Sequence, residues 1–409
     1  MRHQDRASLN IDSTDLQRAA IHFSTPGQSV RQTLRGGTNM NDKFGVDGRL
    51  ARFGGLPRRE FLANLAALAG GAVVPKCLYA QASQPLASAV PGWVDVHHHF
   101  SPPTYADITV QKKVMPSPMV GWSVQKTIED MDQAGVTTAV NSIVVPGVWF
   151  GEPEQARHLA RDCNEYAAKL MSDYPGRFGS FATVTFPDID GSLHKLEYAL
   201  DVLKANGIML FTSYDDKWLG DPVFDPLFEE LNRRRAVVFV HPTTNACCAN
   251  LLPGISSAEI EYGTDTTRAI VRMVYSGAAK KYPNIQMVFS HGGGTMPYLI
   301  GRFVNRVSRA GGAGSERQQH DFLAEVGKFY YDTAQTFNPV PMTALKHVVP
   351  PSQILLGTDF PYRSSAENTT GLTASNAFDL KELEAIKRGN ALKLLPRLQK
   401  LGDLHKVAR

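Results

Sequence analysis

The sequence predicts an α/β protein, a (β/α)8 barrel of the TIM type, on three observations. Eight short apolar runs rich in β-branched residues recur along residues 93–357, and amphipathic stretches alternate with them. The runs are close to continuously apolar, as strands buried on both faces are. The motifs that carry histidine and aspartate all stand where these runs end, and a barrel of this kind gathers its reactive groups at the C-terminal ends of its strands. A doubly wound open sheet is the competing architecture. The count of eight and the placement of the motifs favour the barrel.

In chain order, strands are expected at 93–97, 138–145, 179–185, 207–211, 236–241, 285–290, 329–332 and 354–357. Amphipathic helices are expected at 124–134, 154–174, 192–205 and 226–235. The segment from Asp221 to Pro226 reads as a turn and a helix start. Long loops are expected at 101–122 and 243–265, after the first and fifth strands, where they would cover the mouth of the barrel.

Composition narrows the class. With 409 residues, 43 % hydrophobic and 20 % charged, the chain can bury a large core, which excludes a collagen-like or wholly disordered protein. A net charge of +4 without a polybasic block gives no nucleic-acid footprint. Four cysteines exclude a disulfide scaffold, and the close pair Cys247-Cys248 has no zinc-ribbon spacing. The apolar stretch at 61–74 is too short to cross a bilayer.

Residues 1–56 are polar and are expected to be disordered. After them come Pro57-Arg58-Arg59-Glu60-Phe61-Leu62, an apolar run from Leu65 to Val74, and Ala80-Gln81-Ala82. This order is that of a basic region, an apolar region and a small-residue cleavage site. Paired arginines before Phe-Leu are similar to a twin-arginine signal, although Pro57 and Ala63 depart from its usual neighbours. An amphipathic surface helix is the alternative. The expectation is a leader over 1–82, cleaved near Ala82, and a barrel domain over 83–409. The protein would then be exported by the twin-arginine machinery to the periplasm or beyond. Met40 would give a leader of more ordinary length and is a candidate start.

The first strand ends Val94-Asp95-Val96-His97-His98-His99-Phe100. Alternate residues of a strand share a face, so His97 and His99 point together and His98 points away. Two imidazoles on one face are half of a metal site. The fifth strand ends in His241-Pro242, and the sixth in Ser290-His291-Gly292-Gly293-Gly294. A histidine before such a turn is a candidate acid or base. The eighth ends Gly357-Thr358-Asp359-Phe360-Pro361. A carboxylate buried at that rim needs a partner, and a cation supplies one. Taken singly these are also a histidine-rich loop, a strand-to-helix turn and a helix cap. Together they bring five reactive side chains to one mouth. Phe100, Trp149, Phe211, Phe360 and Tyr362 could line a flat pocket there or pack in the rim.

These motifs, D-V-H-H-H-F (95–100), F-V-H-P (239–242), S-H-G-G-G (290–294) and G-T-D-F-P (357–361), resemble the amidohydrolase superfamily. Within it the chain looks like the branch related to aminocarboxymuconate semialdehyde decarboxylase. The resemblance implies that His97, His99, His241 and Asp359 bind one divalent metal, and three imidazoles and a carboxylate suit zinc first and manganese second. It implies that His291 is the acid/base residue; from its place beside the metal, Asp359 is a candidate proton carrier, with His291 as the alternative relay. It also implies that Arg302 reaches the pocket of a neighbouring subunit, hence a homodimer, and that Tyr362 is the aromatic after the Asp-x-Pro turn; with Phe211 it is expected to contact substrate. Two departures matter. His97 stands where gamma-resorcylate decarboxylases carry Glu. No arginine precedes Met131-Asp132-Gln133-Ala134-Gly135-Val136, which counts against the muconate semialdehyde as substrate. The segments Asn164-Glu165-Tyr166-Ala167, Pro175-Gly176-Arg177-Phe178-Gly179 and Leu210-Phe211-Thr212-Ser213-Tyr214 look more like 6-methylsalicylate decarboxylases.

The function expected is a metal-dependent, non-oxidative decarboxylase, a carbon–carbon lyase, acting on a small aromatic or hydroxybenzoate-type acid. The alternative is a mononuclear hydrolase of lactones, esters or amides, since a metal and a histidine base equip either reaction. No lysine ends the fourth strand, where binuclear members carry one, so one metal is expected. A metal-binding scaffold without activity is the third possibility, and all five reactive positions being intact speaks against it.

Overall fold

Strand alternation builds the barrel and decides what faces its interior. The structure is a computed structural model that describes residues 92–304 and 315–398. Its strands are β1 (Trp93–His99), β2 (Val136–Ser142), β3 (Phe178–Thr183), β4 (Gly207–Phe211), β5 (Ser213–Tyr214), β6 (Lys217–Trp218), β7 (Val237–His241), β8 (Gln286–Phe289), β9 (Tyr330–Asp332) and β10 (Ile354–Leu355). Eight of them run parallel in the order β1-β2-β3-β4-β7-β8-β9-β10, and β5-β6 is a small antiparallel hairpin outside the ring. Met209, Val237, Phe239, Val288 and Leu355 fall in one buried cluster, whereas Ile208, Leu210, Val238, Val240, Met287, Phe289 and Ile354 fall in the other. The period of two therefore sends His241 to the same face as Phe239.

The ring closes without a regular ladder between β1 and β10. Val96 N donates to Leu356 O (2.9 Å), Asp359 N to His97 O (2.8 Å) and His99 N to Phe360 O (2.8 Å). These bonds carry β1 two residues past the expected end at 97. The eighth barrel strand stops at Leu355 rather than 357, because Gly357 and Thr358 leave the ladder and Asp359 takes φ +61°. The second strand lies at Val136–Ser142 rather than 138–145, and the third ends at Thr183 rather than 185.

The helix Val124–Ala134 falls where its spacing places it. Ser123 caps it through a bond from Lys126 N, and Gly135 ends it at φ +68°. The helices Pro153–Asp173 and Asp225–Arg234 each start one residue before expectation. The helix expected at 192–205 is instead Ile189–Glu197 followed by a π-helical turn, Tyr198–Val202. Asp188 accepts from Gly191 N and so starts it early. The loop expected at 243–265 is shorter, because Ser256 caps a helix, Ser257–Tyr275, that takes its last third. Among the described residues no helix is long and apolar enough to cross a membrane. The leader expected over 1–82, its apolar stretch and its cleavage site lie outside the described residues.

Candidate active site

Four buried side chains from three strand ends meet at the C-terminal mouth. His97 and His99 come from β1, His241 from β7, and Asp359 from the turn after β10. One ligand atom from each lies within 4.8 Å of the others. His97 Nε2 is 3.2 Å from His99 Nε2 and 3.2 Å from Asp359 Oδ1, and His99 Nε2 is 2.9 Å from that oxygen. Two ligands about 2.1 Å from a tetrahedral ion stand about 3.4 Å apart, so the spacing matches one coordination sphere.

The far nitrogen of each ring is already used. His97 Nδ1 pairs with Asp332 Oδ2 (2.8 Å), His99 Nδ1 with Ser142 O (3.3 Å), and His241 Nδ1 with Pro242 O (2.8 Å). Carbonyl and carboxylate oxygens only accept, so each Nδ1 carries a proton and Nε2 is the nitrogen turned to the centre, where it ligates through its lone pair once the ring is neutral. Asp359 Oδ1 is buried and receives no hydrogen bond. A buried carboxylate oxygen with Nε2 atoms of two histidines beside it is a place for a cation. The donor set therefore fits a divalent ion.

Charge follows from the same geometry. Burial opposes a proton on His97, but the carboxylates of Asp332 and Asp359 overcome it and push its pKa up to about 10. Burial pushes His99 down, and it pushes His241 well down, with the neighbouring rings adding to it. Burial also works against the Asp359 charge, yet contacts from His97, His291 and His99 hold its carboxyl well below the usual range. In the absence of an ion, the site already contains an ionised carboxylate and two neutral imidazoles.

His291 stands beside this cluster with Nε2 3.3 Å from Asp359 Oδ2 and its ring 5.1 Å from that of His97. Both His291 (φ +54°) and Asp359 (φ +61°) hold the left-handed conformation. Side chains other than Gly rarely adopt it, and such strain gathers at functional sites. Gly292, Gly293 and Gly294 all follow with positive φ, a run only glycine makes at low cost.

Phe211 and Tyr362, expected to contact substrate, stand beside the metal donors. The Phe211 ring is 6.3 Å from His241, and Tyr362 is 5.8 Å from His99. Of the other aromatics, Phe100 packs between Trp122 and Tyr166, Phe360 stacks on His98, and Trp149 is half-buried in the loop after β2. Arg302 is exposed on the short helix Ile300–Val304, and no contact among the described residues joins it to the four donors. His98 points away, as alternation requires, and bonds Asp95 (2.8 Å). Cys163 is buried in its helix; Cys247 is exposed and Cys248 buried in the loop after β7.

Three residues escaped the sequence reading. Asp332 ends β9, and its place at a strand's C-terminal end is the same signal that singled out the other ligands. Gln335 is exposed on the loop after β9, and its amide donates to Asp359 Oδ2. Tyr262 lies in the first turns of the helix after the β7 loop, with its ring 6.0 Å from His241. Burial and then Asp359 push its phenol up to about 12. No local pattern marks either Gln335 or Tyr262.

The amidohydrolase family model matches residues 94–397. A 6-methylsalicylic acid decarboxylase of Penicillium expansum is 35 % identical over 333 residues, covering 77 % of this chain and 99 % of that protein. A decarboxylase of Aspergillus niger is 35 % identical over 330 residues, covering 76 % of this chain and 89 % of that protein. Among solved structures, a dihydroxybenzoic acid decarboxylase from Polaromonas sp. with bound manganese superposes with a TM-score of 0.64 at 19 % identity, covering 75 % of this chain and 97 % of that one. That likeness is one of fold.

Proposed function

This chain belongs to the amidohydrolase family, and on that premise we propose that it is a metal-dependent, non-oxidative decarboxylase of a small 2-hydroxybenzoate-type acid. The observation that carries the proposal is the His3Asp donor set beside the His291–Asp359 contact, on one rim. The names of the relatives support it and put 6-methylsalicylate first among substrates to try. His97, His99, His241 and Asp359 would hold one divalent ion. Zinc suits three neutral imidazoles and a carboxylate, and the manganese in the Polaromonas structure supports that ion as the second choice.

When bound, the ion supplies a Lewis acid for the carboxylate and the adjacent phenol oxygen of the substrate. The chain's own groups supply the proton. Expelling CO2 directly would leave a carbanion on the ring, and protonating the ring carbon first avoids it. A proton held between His291 Nε2 and Asp359 Oδ2 would go to that carbon. The C–CO2 bond then breaks, its electron pair restores the aromatic ring, and CO2 leaves. Phe211, Tyr262 and Tyr362 would flank a flat ring. Arg302 would hold an anionic group in the pocket of a second subunit, which makes a homodimer part of this reading. Residues 83–409 would be the mature barrel domain, exported by the twin-arginine machinery after a leader at 1–82.

The test is product analysis on the metal-loaded protein with 6-methylsalicylate, other hydroxybenzoates, lactones and esters. CO2 and the decarboxylated phenol in equal amounts are expected. Hydrolysis without CO2 would overturn the proposal and leave the mononuclear hydrolase.

A further inference from the structure

We infer that Asp332 is the positioning residue that decides which nitrogen of His97 faces the metal, and that the same carboxylate pins the backbone of His291. The inference rests on the metal reading above and goes beyond it to a residue outside the ligand set.

Asp332 is fully buried at the end of β9 and spends its two oxygens differently. Oδ1 accepts from two backbone donors, His291 N (3.0 Å) and Ala334 N (2.9 Å). Oδ2 faces His97 Nδ1 at 2.8 Å. The two backbone N–H groups cannot turn away, so the position of Oδ1 must always hold an acceptor. Oδ2 then accepts the Nδ1 proton of His97, so Nε2 is the nitrogen left to ligate at the centre. Through Oδ1 the same side chain holds the backbone of His291 in a left-handed conformation (φ +54°) that residues other than glycine seldom adopt. One carboxylate thereby sets the distance between a ligand and the proposed proton carrier. The fit is close. A Cβ on Gly357 would come within 2.8 Å of both Asp332 Cγ and His97 Cβ, so only glycine leaves room for the pair.

The geometry gives two substitutions opposite ranks. In Asp332→Asn the amide oxygen must stay with the two backbone donors, which turns the NH2 toward His97 Nδ1. A ligating Nε2 requires a proton on Nδ1, and that proton would then face another donor. Asp332→Ala removes the partner without opposing it. If Asp332 only filled space and bonded backbone, Asn would be the milder change.

The experiment measures Zn2+ affinity by competition with a chromophoric chelator, beside urea unfolding of each metal-free protein. Wild type should bind tightest and Asp332→Asn weakest, with losses of about 10- to 100-fold, the usual scale for groups behind a metal ligand. Asp332→Ala should fall between them in affinity yet be the least stable when metal-free. Equal binding by wild type and Asp332→Asn, or weaker binding by Asp332→Ala than by Asp332→Asn, would overturn the inference and leave the metal site standing. Wild type that takes up no ion would overturn both. Zinc-loaded wild type gives a reading that needs no variant: a proton on His97 Nδ1, shifted downfield by its carboxylate partner in a nitrogen-15 correlated spectrum. A bare Nδ1 would contradict the inference.

Discussion

The ends of β1 and β10 deliver ligands to the same point by opposite means. β1 stays extended to His99 across a register shift against β2 between Asp95 and His98, and His97 and His99 turn inward and His98 outward. After Leu355 the other end abandons the ladder, bends at Gly357 and places Asp359 by a left-handed backbone. Asp95 joins the two. Its carboxylate accepts from His97 N (2.9 Å), His98 Nδ1 (2.8 Å), Thr358 N (3.1 Å) and Thr358 Oγ1 (2.6 Å). An extended strand aims its side chains by alternation. A bend has to be held, and the side chain that holds it lies across the seam on β1.

The comparison can be broken at several points. The largest effect is expected at the bent end, where Asp359→Ala removes both a ligand and the proposed proton carrier. CO2 release from 6-methylsalicylate should fall about 10²- to 10⁴-fold, with metal content falling too; full metal content and full rate would remove Asp359 from the account. At the extended end, His99→Ala should weaken Zn2+ binding by more than about 100-fold, beyond the usual loss for a group behind a ligand. Its neighbour His98→Ala should leave metal affinity alone and cost about 1–3 kcal/mol of stability, because Asp95 loses a buried donor. Chelator competition and urea unfolding on the two variants separate these outcomes, and a metal defect in the His98 variant would refute the alternation argument.

The seam itself is tested by Asp95→Ala, which strands the buried donors of both ends. A loss of about 3 kcal/mol or more is expected in urea unfolding, and a loss under about 1 kcal/mol would mean that the bend holds itself. The smallest effect serves as a control far from either end. Hydrogen bonds from Arg233 and then Arg234 outweigh burial and hold the Glu230 carboxyl down to about 2. A depressed acid stabilises the fold above its unfolded pKa, about 4.3, and that contribution disappears as pH falls through about 2. Glu230→Gln should therefore cost less than about 1 kcal/mol near neutral pH and nothing near pH 2, with metal affinity unchanged.

What the sequence made legible follows the same division. Alternation and apolar continuity located the barrel strands to within a few residues, and they picked His97, His99 and His241 as inward-facing. Asp359 was legible only through its motif, since nothing in a Gly-Thr-Asp-Phe-Pro run announces a backbone that bends by φ +61°. Asp332 was open to the same reasoning as the ligands, because it too ends a barrel strand, but β9 is only three residues long and gives little pattern to extend. Tyr262 and Gln335 reach the mouth from a helix and a loop. Their approach depends on how those segments fold back over the barrel, a long-range outcome that no local period encodes. The loop expected at 243–265 was overestimated because one hydroxyl, that of Ser256, suffices to start a helix.

The most direct test of the central claim is anomalous diffraction from crystals of the zinc-loaded protein, recorded at the zinc edge. The account predicts one peak, within coordination distance of Nε2 of His97, His99 and His241 and of Asp359 Oδ1. Two peaks, a peak elsewhere, or none among these four atoms would contradict it.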